Sequence, residues 1–381
     1  MAAQKPRVTK VFLVTFFSKK VTSFFFLSLL VTTPRAWADD SITMALERPA
    51  VLTPHAAFGL ITSIARAGAR LVAAGERGRI LLSDDNGATW RQVETPTSVT
   101  LTHITFAGPT QGWALGQMGL VLHTTDSGAS WTPQLNGIIA NQITLAAARA
   151  GMPATGATGA DTANLQNAEA LAGGGPSVPF LDLLVTSPGH LLVTGGFGLA
   201  MTSTDSGAHW QSIAGQLANP QGLHLYGLAQ TAGSVFIAGE QGLILSGPLT
   251  GPFSPLTTPF SGTYFGILAT PGGTLIAYGL QGTIITSSDR GQHWQPPPTG
   301  VTAGIDAALT LADGRLLFGD IAGDLLLSPN GGQKITPLGN AGEPVAALAQ
   351  AADGSLIIGG PFGLRRLPPP AEAAAQDAPK P

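Results

Sequence analysis

The sequence predicts an all-β protein, a seven-bladed β-propeller of four-stranded blades, and three observations predict it. A Gly-x-x-Gly-like turn followed by an apolar strand recurs seven times, with its second glycine at Gly78, Gly119, Gly198, Gly242, Gly282, Gly323 and Gly363. A second motif, Ser/Thr-x-Asp-x-Gly-x-x-Trp, follows that strand in four repeats: Ser83 to Trp90, Thr124 to Trp131, Ser203 to Trp210 and Ser287 to Trp294. The runs between turns are short, rich in Val, Ile, Leu and Thr, and bounded by Gly, Pro, Asn or Asp, as strands are. A period of about 40 residues marks a repeat architecture, one supersecondary unit per repeat.

The chain begins with Lys5, Arg7, Lys10, Lys19 and Lys20 and no acid, then an uncharged Phe- and Leu-rich run, Val21 to Thr33, then Ala36-Trp-Ala38. That is the layout of a secretory signal peptide over residues 1–38 with cleavage after Ala38. Secretion to the periplasm follows; the apolar run is too short to span a bilayer, and the mature chain is expected to hold no membrane span. Removal of the segment leaves 13 bases against 22 acids, a net charge of −9. Nucleic-acid binding, which needs a basic footprint, is disfavoured. The 381 residues include no Cys, which excludes disulfide scaffolds and thiolate metal sites. Seven His, scattered singly, suggest no dense metal site, so neither a metal nor a cofactor is expected.

The propeller is expected to fill residues 39–367. The interval from Gly119 to Gly198 holds one repeat and an insertion, about residues 140–176, with helix-like patches at Ile143 to Ala150 and Asp161 to Leu171 between blades two and three. Repeat seven supplies three strands and then Pro368-Pro-Pro. The stretch Ile42 to Thr53 is therefore expected to be the strand that closes the ring as the fourth of blade seven, because an unpaired edge would otherwise remain. Residues 368–381 read as a disordered Pro- and Ala-rich tail.

The second motif has a physical logic. An Asp in a tight turn accepts that turn's own N–H groups, Gly two residues later takes positive φ at little cost, and Trp packs against a neighbour. The four copies resemble the Asp-box, or bacterial-neuraminidase repeat, whose bearers are propellers with four antiparallel strands per blade. Asp85, Trp90, Asp126, Trp131, Asp205, Trp210, Asp289 and Trp294 are accordingly read as structural; repeat six keeps a remnant, Ser328-Pro-Asn330-Gly-Gly332. With its signal segment, seven repeats and a helical insert before Pro179-Phe180-Leu181-Asp182, the chain is similar to the photosystem II assembly and stability factor family, in its secreted proteobacterial branch. That resemblance implies a non-enzymatic assembly factor with a protein partner in a membrane or envelope complex.

Two other functions stay open. A sialidase-like glycoside hydrolase would need an Arg cluster from several blades and a Tyr nucleophile, but residues 97–258 hold one Arg, Arg149, and the chain has only Tyr226, Tyr264 and Tyr278. A small-ligand or metal site could instead line the central channel. Counting back from the first glycine of each turn puts His103, Asp182 and Asp306 in a ring near the axis. Arginine is also uneven. Eight of the mature chain's 11 fall on blades seven and one; Arg77 and Arg79 flank the turn Gly78, and Arg365 and Arg366 sit just past the equivalent Gly363. These four are read as a partner-binding surface for carboxylate groups, since guanidinium favours bidentate contacts.

Overall fold

The structure, a computed structural model, describes residues 44–370. The signal segment with its cleavage point and the tail beyond Pro370 lie outside the described residues. Seven antiparallel sheets form the seven blades, each running from an inner strand outward in chain order. The inner strands are Ile61–Ala67, Leu101–Phe106, Phe180–Ser187, Leu225–Thr231, Tyr264–Ala269, Ile305–Thr310 and Ala347–Gln350.

The core is distributed around the ring. Seven apolar clusters each join two neighbouring blades. Successive strand side chains point to opposite faces, so the middle strands are apolar throughout. In blade one, Val72 and Ala74 enter the cluster shared with blade two, while Leu71 and Ala73 enter the one shared with blade seven.

Five blades have four strands and two have three. In blade five the fourth strand shrinks to one bridge, Thr286 with Gln295, because Pro296-Pro-Pro follows and proline has no N–H for a ladder. Blade seven ends at Gly363–Leu367, with no fourth strand among the described residues.

The expected closing strand over residues 42–53 is corrected here for residues 44–53; Ile42 and Thr43 lie outside the described residues. Residues 44–47 form a helical turn, and Leu46 enters the cluster between blades one and two. The segment then flanks the outer strand of blade one, Arg91–Val93: Ala50 N donates to Thr95 O (3.1 Å) and Gln92 Nε2 to Val51 O (3.1 Å). Pro49 and Pro54 could not have donated to a ladder. The ring closes by a crossover instead. A β-carbon on Gly78, Gly242 or Gly282 would collide with the carbonyl of Thr97, Phe260 or Val301 in the chain entering the next blade; on Gly363 it would collide with Ala57 O. Residues 56–58 thus stand where the other blade-to-blade links stand.

The insertion is a helical hairpin, α1 (Gly137–Gly151) and α2 (Gly159–Gly173). Asn136 caps α1, and Thr158 with Asp161 forms a capping box at the start of α2. Leu171 and Ala140 enter the cluster between blades two and three, which anchors the hairpin there.

Candidate functional site

The propeller has two unlike faces. The Asp-box turns lie at the C-terminal ends of the third strands, and the Gly-x-x-Gly turns at their N-terminal ends.

Each Asp-box consumes its own polar groups. In blade one, Ser83 Oγ donates to Asp85 Oδ1 (2.7 Å) and accepts from Gly87 N (2.8 Å). Thr89 N donates to Asp85 Oδ1 (2.9 Å) and Thr89 Oγ1 to Oδ2 (2.5 Å). Hydrogen bonds from Thr89 and Ser83 hold the Asp85 carboxyl down at about 2, and the N–H and imidazole of His209 with Ser203 Oγ do the same for Asp205. The remnant in blade six keeps the pattern with a neutral acceptor: Lys334 N donates to Asn330 Oδ1 (2.9 Å).

The boxes also join blades. Arg70 Nη1 of blade one donates to Ser127 O (3.3 Å), and Trp113 Nε1 and Gln134 Nε2 of blade two to Ser206 O (3.3 and 3.0 Å). The box glycines are where the preceding blade nests: a β-carbon on Gly87, Gly291 or Gly332 would collide with Ile357, Leu256 or Thr286. Trp90, Trp131, Trp210 and Trp294 pack in the cluster shared with the preceding blade.

Near the axis, sheet register places Ser63, His103, Asp182, Gly227, Gly266, Ala307 and Ala347 level with one another. His103 and Asp182 do meet, with Nε2 3.3 Å from Oδ1. Asp182 is already engaged: Oδ1 accepts from Leu183 N (2.9 Å) and Oδ2 from Leu228 N of blade four (2.8 Å). Asp306 is out of that level, in the bulge between Ile305 and Ala307. Blade six shifts because Asp320, not Gly319, pairs with Ile305 as Gly75 pairs with Ile61. Asp306 is 2% exposed. Asp182 and Asp306 both add to the burial that raises the Tyr278 phenol, whose ring lies over Gly266. Among the described residues no three His, Asp or Glu are grouped to hold a metal.

The structure divides the four candidate arginines. Arg77, at positive φ, is exposed on the tip of its turn. Arg79 is paired with Glu76 at 3.0 Å. Arg365 Nη1 donates to Ala341 O and its Nε lies 3.8 Å from Glu343. Arg366 Nη2 meets Asp353 at 2.6 Å, and its Nε donates to Asn86 O in the Asp-box of blade one. Arg366 and Arg77 thus serve opposite ends of the blade-one strand Ile80–Ser83.

Sequence reasoning missed the large apolar side chains. Nine are exposed among the described residues, and six gather at the Gly-x-x-Gly end. Phe197 and Phe362 are tip residues of the turns in blades three and seven, and Leu280 opens the turn in blade five. Phe58 abuts Gly363, and Ile138 and Ile139 follow Gly137, which abuts Gly119. For Phe197, Leu280 and Phe362 the signal was readable as the variable residues between paired glycines; Phe58, Ile138 and Ile139 lie outside those turns.

Comparison with known proteins agrees with this architecture. The family model for photosynthesis system II assembly factor YCF48 matches residues 40–125 and 69–170. Over residues 40–170 the chain is thus similar to the photosystem II assembly factors, and its fold is a seven-bladed propeller. A chloroplastic photosystem II stability/assembly factor HCF136 from Cyanidioschyzon merolae is 37% identical over 98 residues, 25% of this chain and 21% of that protein. The chain thus spans about a fifth of that relative. YCF48 bound to D1 peptide superposes with a TM-score of 0.59 at 17% identity, covering 83% of this chain and 95% of that one. Virginiamycin B lyase from Staphylococcus aureus gives 0.61 at 11% identity, covering 83% and 96%, so the fold also serves enzymes. Among the described residues no helix is long and apolar enough to cross a membrane.

Proposed function

We propose that this chain is a non-catalytic, protein-binding propeller that assists assembly of a membrane or envelope complex, and that its partner docks on the Gly-x-x-Gly face. The exposed Phe58, Ile138, Ile139, Phe197, Leu280 and Phe362 at that end carry the docking face. Partner sites are built from apolar and aromatic anchors with arginine, and Arg77 projects among them. The similarity to photosystem II assembly factors, and the relative solved with a D1 peptide, support a protein partner. Secretion to the periplasm after cleavage at Ala38 completes the reading. A sialidase-like mechanism has little to work with: all three tyrosines are buried, and burial raises each phenol.

The test is retention of solubilised envelope proteins by immobilised residues 39–381. Phe197→Ser with Phe362→Ser and Arg77→Glu should abolish retention of a membrane complex. His293→Glu with Lys334→Glu, on the Asp-box face, should not. Loss through the second set alone, or no complex retained by the wild type, rejects the reading.

A further inference from the structure

The helical hairpin leaves a cleft between itself and the outer side of blade three, which meets the docking face only at Phe197. A chamber of about 270 Å³ is lined by Thr144, Asn164, Ser212 and Gln216, with Asp161 at one side. A narrower chamber shares Thr144 and Asn164 with it, adds Asn167 and Asn219, and ends against Phe197. We propose that this cleft binds a neutral polyhydroxylated ligand, of the size of a mono- or disaccharide.

Three observations select that class. The first is Thr144 Oγ1. The residue is 1% exposed, and its hydroxyl has no hydrogen-bond partner. A helical threonine ordinarily bonds the carbonyl one turn back, and an unmet buried hydroxyl is costly. Thr144 lines both chambers, and a ligand hydroxyl that reached its buried Oγ1 would supply the missing partner.

The second is charge. The lining contains no Lys, Arg or His, so nothing there would neutralise a phosphate or a carboxylate. Its one acid already serves the α2 cap: Asp161 Oδ2 accepts from Thr158 N (2.8 Å) and Thr158 Oγ1 (2.7 Å). The polar groups that remain are side-chain amides and hydroxyls, which donate and accept at one site as sugar hydroxyls do, beside the apolar Ala147, Ala148 and Met152.

The third is the state of the backbone. An extended peptide would need free N–H and C=O groups along the outer edge of blade three. That edge strand is only Gln211–Ser212. Beyond it the chain is engaged: Ala214 N donates to Ser212 Oγ, Gln216 N to Ile213 O, and Phe253 N to Gln216 O. Side chains, not main chain, are on offer, which favours a sugar over a strand-like peptide.

The test is titration calorimetry and thermal melting of residues 39–381 with glucose, maltose, cellobiose and N,N'-diacetylchitobiose, and with the peptide Gly-Ala-Gly-Ala. At least one sugar should give saturable heat at millimolar concentration and raise Tm. Thr144→Val keeps the shape and removes the hydroxyl; it should weaken that sugar about tenfold while leaving the unliganded Tm unchanged or higher. Asn164→Leu should weaken it further. No binding by any sugar, binding untouched by both variants, or saturable binding of the peptide alone overturns the proposal. Any of these outcomes leaves the docking face unaffected, since neither variant lies on it.

Discussion

Arg366 of blade seven donates through Nε to the carbonyl of Asn86 in blade one, 3.0 Å away across 280 residues of sequence. Its Nη2 meets Asp353 at 2.6 Å, so one guanidinium clamps the first and last blades. Arg366→Ala should lower stability by about 1 kcal/mol, the scale of a partly exposed ion pair with a charge-assisted hydrogen bond. Arg77→Glu should leave stability unchanged. Urea unfolding of the two variants checks the contrast; equal losses would contradict the separation of roles.

The box glycines should be less replaceable than turn glycines facing solvent. Gly87 has φ +82°, and a β-carbon there would strike Ile357 of blade seven. Gly314 has φ +85° and nothing within 4 Å. Gly314→Ala should cost about 1–2 kcal/mol from backbone strain alone. Gly87→Ala adds overpacking between blades and should cost about 3 kcal/mol or more. Melting temperatures of the pair separate the two contributions.

The Asp-box carboxyls tie stability to acid pH. Asp85 and Asp205 fall from 3.8 to about 2 in the folded chain, and the Asp126 and Asp289 carboxyls are also lowered. A group depressed on folding contributes fully above its unfolded value and loses that contribution as pH falls through the folded one. Tm should therefore hold down to about pH 4 and drop toward about pH 2. Asp85→Asn with Asp205→Asn should flatten that drop yet still fold, because Asn330 accepts the same N–H in blade six. Melts across the acid range decide it.

At the alkaline end, the chain's three tyrosines respond together. Burial raises all three phenols above the ordinary value of 10, with Glu240 adding to Tyr226, and Asp182 and Asp306 adding to Tyr278. The unfolded chain releases these protons first, so stability falls as pH rises past 10. Phenolate absorbance should appear in step with loss of circular dichroism; a phenolate signal near pH 10 from folded protein would contradict the burial.

Much of this was legible in the residues. The paired glycines and the Ser/Thr-x-Asp-x-Gly-x-x-Trp boxes follow from local turn chemistry, which short-range sequence carries. The seam was not legible, because Ile42 to Thr53 has strand-like composition, while its path depends on Leu46 finding the groove between blades one and two. The axial ring was only partly legible. Register sets His103 and Asp182 level and 3.3 Å apart, whereas Asp306 falls in a bulge because Asp320 takes the register of a turn glycine. The Thr144 cleft gave no sequence signal, since it depends on how the hairpin lies against blade three.

The link at Ala57, lodged against Gly363 as Thr97 is against Gly78, has a topological meaning. A ring locked by a strand shared between first and last blades has one privileged seam, and its termini are fixed there. Here the described chain enters blade one through an ordinary crossover. The order of blades is circular in everything but covalent connectivity. Joining residue 370 to residue 44 through a flexible linker and opening the chain at the crossover after Pro255 would give a permutant that keeps every blade intact and moves only the ends.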